Sequence, residues 1–224
     1  ASLLPHLISR APPFSVVSTG TWVIILSSGG DLIHLDLSRD TLANSDAFAR
    51  PVASARFMGG REYEKLTAGQ TESTADALVQ VLETPVLLLP SVETGSGPFP
   101  HCKATWLPAE PPPSLISAAA SLYLAMMTAT SFELTGAKGP VIVEGPFARN
   151  RIYLDMLTVA TGRPVLASGA SSTGTSIGAA LLALGKQAGV PETATPIPLP
   201  DDGMRAKLET WRDRWREEVG AEQG

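Results

Sequence analysis

Val141–Leu184 reads VIVEGPFARNRIYLDMLTVATGRPVLASGASSTGTSIGAALLAL, and the order of elements inside it decides the fold class. Val141-Ile142-Val143 is a buried-strand run that stops at Gly145-Pro146. A helix follows whose apolar residues are Ile152, Leu154, Met156, Leu157 and Val159. A second short strand, Pro164 to Ala167, leads through a Ser/Thr/Gly turn into a small-residue helix, Ser176 to Leu184. Strand, glycine turn, helix sets backbone N–H groups and the positive end of a helix at the end of a strand, which suits a phosphorylated ligand. On the residues alone this is a candidate nucleotide site in an α/β domain.

Working outward, Ala1 to Ser9 reads as the end of a helix stopped by Pro12-Pro13. Val16-Val17 and Trp22 to Leu26 are strand runs on either side of Ser18-Thr19-Gly20-Thr21. Leu32 to Leu37 alternates with strand period, and Ala49 to Phe57 offers a third strand. Helices are expected from about Gly60 and over Glu72 to Glu83, then a strand at Val86 to Leu89 ending at Pro90. Ser91 to Pro113 reads as a long loop, the kind that in a compact domain is functional or partly disordered. Ser114 to Leu134 is apolar and near the ~20 residues that a bilayer requires. Ser117, Ser121, Thr128, Thr130, Ser131 and Glu133 interrupt it, so a central buried helix is expected instead of a membrane span. Pro191 to Asp202 reads as an extended linker with four prolines, and Gly203 to Glu218 as a final exposed helix. There is no internal repeat.

The 224 residues can bury a sizeable core. A net charge of −5 and a pI of about 5.2 argue against a nucleic-acid or anionic-membrane surface. The charges of Arg205 to Arg216 alternate with Glu209, Asp213 and Glu217, as on a solvated helix. A single Cys102 permits no intramolecular disulfide and fits a reducing, cytoplasmic setting. No signal-peptide pattern opens the chain. The first residue is not Met, so a processed product or a piece of something longer is expected. His6, His34 and His101 are scattered without ligand spacing, and no metal site is expected.

Two further turns carry candidate chemistry. Gly20-Thr21, in the turn between two strands, can aim N–H groups and a hydroxyl at phosphate oxygens; a plain hairpin is the alternative. Gly60, in Met58-Gly59-Gly60-Arg61-Glu62-Tyr63-Glu64, would let backbone approach a ribose or phosphate, with Glu64 one turn on; a helix-start glycine and a solvated Glu is the plain reading. Asn150 offers amide donors and an acceptor, or caps the helix that begins near Ile152. Asp155 is expected to be structural. Gly178 is explained by close backbone packing; phosphate contact by the turn of Thr173, Gly174, Thr175 and Ser176 is the alternative.

Gly145, Ala148, Arg149 and Asn150, then Asp155, Gly162-Arg163-Pro164-Val165 and Gly178-Ala179-Ala180 resemble the C-terminal half of FGGY-family carbohydrate kinases. The resemblance covers almost the whole chain. It implies one of the two halves of a ribonuclease-H-like, actin-type ATPase fold, with residues 1–224 as the C-terminal nucleotide-binding domain and 191–224 as its proline-rich linker and last helix. Three hairpin-joined strands, then helices, then a βαβα unit agree with that order and not with a doubly wound sheet. The resemblance further implies ATP with Mg2+. Gly20 and Thr21 would hold the β- and γ-phosphates, Gly60 and Glu64 would lie beside the ribose, and Gly145, Pro146, Phe147 and Asn150 would meet the adenine end. The Gly20-Thr21-Trp22 version resembles fuculokinases and rhamnulokinases, which implies an L-fuculose/L-rhamnulose-type ketose as acceptor.

This chain departs from the family at Pro146-Phe147, where the usual run is glycines. Pro146 has no N–H, and Phe147 would either stack on the base or mark a remodelled site. The family's catalytic Asp would fall at or just before Ala1, and nothing from Ala1 to Thr21 is acidic. No catalytic residue is therefore expected within the chain. The sugar would be bound mainly by an absent N-terminal half, and a homodimer is allowed. Two other readings stay open: a non-catalytic actin-fold nucleotide-binding or scaffold module, and an α/β domain without nucleotide.

Overall fold

A computed structural model describes residues 2–69, 73–169, 174–184 and 194–222. Its centre is a seven-stranded mixed sheet. β1 (Phe14–Thr19) and β2 (Val23–Ser28) form the first hairpin, and β3 (Thr41–Ser45) and β4 (Pro51–Phe57) the second. β7 (Val141–Glu144) and β8 (Val165–Ser168) follow, with β9 (Ala194–Pro196) at the edge, in the order β3-β4-β2-β1-β7-β8-β9. β1 pairs antiparallel with β2 and parallel with β7, so a hairpin half and a parallel half meet at β1.

Alternation sets the two faces. Val17, Val23, Ile25, Phe57, Val141 and Val143 turn toward the main core, while Phe14, Val16, Val52 and Ile142 form a smaller cluster with Leu3. The main face is covered by α2 (Gly59–Thr67), α3 (Ala75–Glu83), α4 (Pro113–Leu134) and α5 (Arg151–Thr161), with α4 at the centre of this layer. α1 (Leu4–Ser9) and α6 (Gly174–Leu184) pack together elsewhere. α4 is long and apolar enough to cross a membrane, but 89% of its most apolar window is buried inside the domain, and residues around its whole circumference are covered. It is the core helix of this layer. Its hydroxyls are satisfied locally: those of Ser121, Thr128, Thr130 and Ser131 donate to carbonyls four residues back.

Four expectations need correction. Leu32–Leu37 is not a strand. Asp31 takes the Ile33 N–H at 2.7 Å and lies 2.6 Å from His34 Nδ1, while Asp36 takes the Ser38 N–H, so local side-chain bonds replace the ladder. The strand comes later, as β3. The long loop after β5 (Leu87–Leu89) contains a further strand, β6 (Thr105–Leu107), paired antiparallel with β5. The proline-rich stretch expected as a linker contributes β9, which pairs with β8 where its residues are described; residues 191–193 lie outside the described residues.

The last helix, α7 (Asp202–Glu222), is not simply exposed. Leu208, Trp211, Trp215 and Val219 are buried at helical spacing. The indoles of Trp211 and Trp215 donate to the carbonyls of Val86 and Leu88, at 3.0 and 2.8 Å. α3 begins at Ala75 behind a Thr74 cap; Glu72 lies outside the described residues.

Candidate functional site

The turn between β1 and β2 is the focus. Gly20 and Thr21 are exposed, and the Gly20 N–H donates to the Trp22 carbonyl at 3.0 Å. The Thr21 hydroxyl has no hydrogen-bond partner among the described residues. Thr19, one residue earlier, is buried and tied across the sheet. Its hydroxyl donates to the Glu144 carbonyl at 2.5 Å and accepts the Phe147 N–H at 3.1 Å. Gly145 has φ +83°, and a β-carbon there would lie 2.0 Å from the Thr19 carbonyl oxygen. The two turns therefore meet although they lie far apart in sequence. The parallel register, Ser18 beside Glu144, sets the ends of β1 and β7 level.

α2 closes the third side. A β-carbon on Gly60 would lie 1.8 Å from the Gly20 carbonyl oxygen, and the Arg61 N–H donates to the Thr21 carbonyl at 3.3 Å. Gly60 thus serves close approach of backbone to backbone, and the start of α2 lies directly against the hairpin. Glu64 is exposed on the same helix.

The 145–150 turn is held largely by its own neighbours. The Phe147 ring does not stand out to meet a base. It is buried, with the Tyr63 ring 5.5 Å away edge-on and the Tyr153 ring 5.1 Å away. An apolar ring beside two aromatic neighbours gains more from the core than from water. Its N–H is used by Thr19. Pro146 is exposed and Gly145 partly so. Asn150 is the N-cap of α5: Oδ1 accepts the Tyr153 N–H at 3.1 Å, and Nδ2 donates to Ser121 at 2.8 Å. Asp155 pairs with Arg151 one turn away, and burial pushes its carboxyl up against the lowering effect of that partner.

Glu144 and Glu62 were not singled out by the sequence, and Arg163 entered only as part of the resemblance; all three are tied groups. Glu144 is buried at the end of β7; one carboxylate oxygen lies 2.7 Å from His6 Nε2 and the other accepts the Gly174 N–H. The first turn of α6 is therefore engaged by Glu144. Thr173 and the turn residues 170–172 lie outside the described residues. Glu62 is buried in the first turn of α2, and burial pushes its carboxyl up to about 7 in spite of hydrogen bonds from the Glu93 N–H and the Tyr123 hydroxyl. Arg163 clamps the base of the sheet, donating to the carbonyls of Gly139 and Lys138 and to Ser15, with its guanidinium 4.6 Å from the centre of the Phe132 ring. A pattern of Glu or Thr beside a glycine gives no sign of such long-range partners. Among the described residues no group of three or more His, Cys, Asp or Glu is placed to hold a metal ion.

Residues 11–192 match the family model described as carbohydrate kinase FGGY, C-terminal domain. The chain belongs to the FGGY carbohydrate kinases. It is similar over 100% of its length, at 32% identity and a TM-score of 0.84, to a carbohydrate kinase from Novosphingobium aromaticivorans, of which it covers 50%. A xylulose kinase from Rhodospirillum rubrum is 14% identical with a TM-score of 0.66, covering 98% of this chain and 48% of that one. A glycerol kinase from Plasmodium falciparum, solved with ADP, is 13% identical with a TM-score of 0.64, covering 97% and 49%. The last two show the fold alone. A comparison with curated proteins found no match. This FGGY domain spans about half the length of the solved kinases it resembles, and its mixed sheet is that of the actin-like ATPase fold expected from the sequence.

Proposed function

We propose that this FGGY domain is the ATP-binding half of a sugar kinase that transfers the γ-phosphoryl group to a hydroxyl of an L-fuculose/L-rhamnulose-type ketose. The observation that carries this reading is the convergence at Gly20-Thr21. An exposed glycine turn with a free hydroxyl is walled by the start of α2 and by the 145–150 turn. Phosphoryl transfer asks the protein chiefly for positioning and for donors aimed at the phosphates. Thr21 supplies a hydroxyl there, on a turn closed by the Gly20 N–H bond to the Trp22 carbonyl, and Gly60 removes the side chain that would lift the hairpin away. Mg2+ would arrive on the nucleotide. The proposal includes a catalytic Asp and most sugar contacts from a preceding half, a cytoplasmic setting, and no nucleic-acid or membrane partner, and it allows a homodimer.

One observation favours the second reading, a nucleotide-binding module without turnover. The 145–150 turn offers a ligand few donors: Pro146 has no N–H, that of Phe147 is engaged by Thr19, and Asn150 already caps α5. Calorimetry with ADP and a coupled kinase assay on a panel of ketoses, both on the full-length protein, separate the two. ADP binding with turnover supports the kinase. Binding without turnover of any sugar supports the module, and no binding removes both.

A further inference from the structure

The first turn of α2 lies against the hairpin and reaches the 145–150 turn and α4. Gly60 lies under the Gly20 carbonyl, and Arg61 donates its N–H to Thr21. Tyr63 packs its ring on Phe147 and places its hydroxyl 2.6 Å from Ser117 of α4. Between them sits Glu62, 1% exposed, with both carboxylate oxygens engaged. Oε1 accepts the Glu93 N–H at 3.0 Å, from the loop after β5, and Oε2 accepts the Tyr123 hydroxyl at 3.0 Å, from the middle of α4. The Glu93 carboxylate returns to the same helix, bonded to Arg61 Nε at 3.1 Å and to Lys65. The loop and α2 are thus crossed by two independent links, one buried and one at the surface.

A buried carboxyl is an expensive way to fill space. An apolar residue at this position would pack against Tyr123 without losing solvation, so an acid here needs a purpose that its hydrogen bonds supply. Those bonds run to two elements, the loop after β5 and α4, and add a buried link to the Glu93 ion pairs at the surface and the Tyr63–Ser117 bond of the same helix end. We propose that Glu62 is a positioning residue, whose buried carboxylate ties the loop after β5 and the core helix α4 to the first turn of α2 and thereby sets the Gly20-Thr21 hairpin. Its consequence for ligand affinity rests on the nucleotide-binding reading above. The coupling itself does not.

The test uses the full-length protein with Glu62→Leu, which removes both acceptors, and Glu62→Gln, which keeps an acceptor oxygen for the Glu93 N–H. Amide hydrogen exchange is followed at Gly20, Arg61 and Glu93, with Ile142 and Val143 of β7 as controls. Glu62→Leu should speed exchange about tenfold at all three amides and leave β7 unchanged, as expected for local opening. The ADP dissociation constant should rise by a similar factor, and Glu62→Gln should restore most of both. Tyr123→Phe, which removes one bond only, gives an intermediate effect and serves if Glu62→Leu fails to fold. Faster exchange at Glu93 with Gly20 and Arg61 unmoved overturns the coupling. Loosening at all three with an unchanged ADP affinity overturns the positioning role. If the wild-type protein binds no ADP, the nucleotide reading falls, and the exchange at Gly20 and Arg61 still decides whether Glu62 sets the hairpin.

Discussion

The backbone of Gly60 lies directly against the carbonyl of Gly20, so close that a β-carbon at 60 would sit 1.8 Å from the oxygen and 2.6 Å from the carbonyl carbon. Both neighbours are backbone atoms, so neither can rotate away. Gly60→Ala must displace either α2 or the hairpin, at a cost of about 1–3 kcal/mol. We expect a lower denaturation midpoint together with ADP affinity weakened at least several-fold. Gly220→Ala, within α7 where a β-carbon meets nothing within 4 Å, is the control: it should leave ADP affinity unchanged and not lower the midpoint, since alanine favours the helix. Unchanged ADP affinity in a destabilised Gly60→Ala protein would separate the packing from the ligand site.

Thr21→Val in the full-length enzyme should lower kcat while leaving the sugar KM near its wild-type value. The hydroxyl is exposed and makes no hydrogen bond among the described residues, so its loss costs little stability. Removing one donor that meets the transferring phosphoryl group typically costs ~10²-fold or more in rate. Steady-state kinetics with ATP saturating reads the split. An unchanged kcat would leave Thr21 as a turn residue only.

Glu62 gives stability a pH dependence with a defined sign. Burial raises its carboxyl from 4.5 in the unfolded chain to about 7 in the folded one. The contribution to stability is therefore complete below about pH 4.5, falls as the unfolded chain ionises, and is gone above about pH 7. The difference amounts to about 3 kcal/mol at most. Urea unfolding of wild type and Glu62→Gln across this range isolates it. The stability of Glu62→Gln relative to wild type should rise with pH from 4.5 to 7 and level off beyond. A flat difference would show that the carboxyl titrates normally.

Arg163→Met should destabilise the domain by about 2–3 kcal/mol, because it strands two carbonyls and removes the cation from the Phe132 ring. Nucleotide affinity should hold in the folded fraction, since Arg163 bonds to the entry of β1 and the turn before β7, at the far end of both strands from Thr19 and Glu144. Thermal unfolding and ADP calorimetry on the same variant check both halves of this expectation.

Residues 1–224 alone should phosphorylate no sugar, although weak ADP binding should persist. The chain has no acidic residue before the first hairpin and spans about half of the solved kinases it resembles. Transfer requires base, sugar and γ-phosphate in one line, which a single wall of a cleft does not provide. A coupled assay on a ketose panel showing turnover well above background would place the base inside this chain.

The sequence determined the elements whose signals are local. Apolar runs gave β1, β2, β4 and β7, and the glycine turns at 20, 60 and 145 marked the places where backbone must come close. Asn150 was legible as a helix cap because capping is settled within three residues. The family followed from motifs spread over the chain, and the actin-like fold from the order of its strands.

Only the tertiary structure decided what those turns face. Leu32–Leu37 alternates like a strand, yet Asp31 and Asp36 hold the backbone in turns, and nothing in the pattern weighs a side-chain bond against a ladder bond. Nothing in the pattern around Phe147 shows that its ring packs between Tyr63 and Tyr153. The amphipathic stripe of α7 was hidden among its charges until Val86 and Leu88, before and within β5, supplied carbonyls for its two indoles. Thr19, Glu62 and Glu144 owe their places to partners thirty or more residues away, which for Glu62 lie on two separate elements at once. Periodicity reports which face of an element is buried. It carries no information about which distant donor will meet a buried acceptor, and at this site those long-range bonds are what bring the turns together.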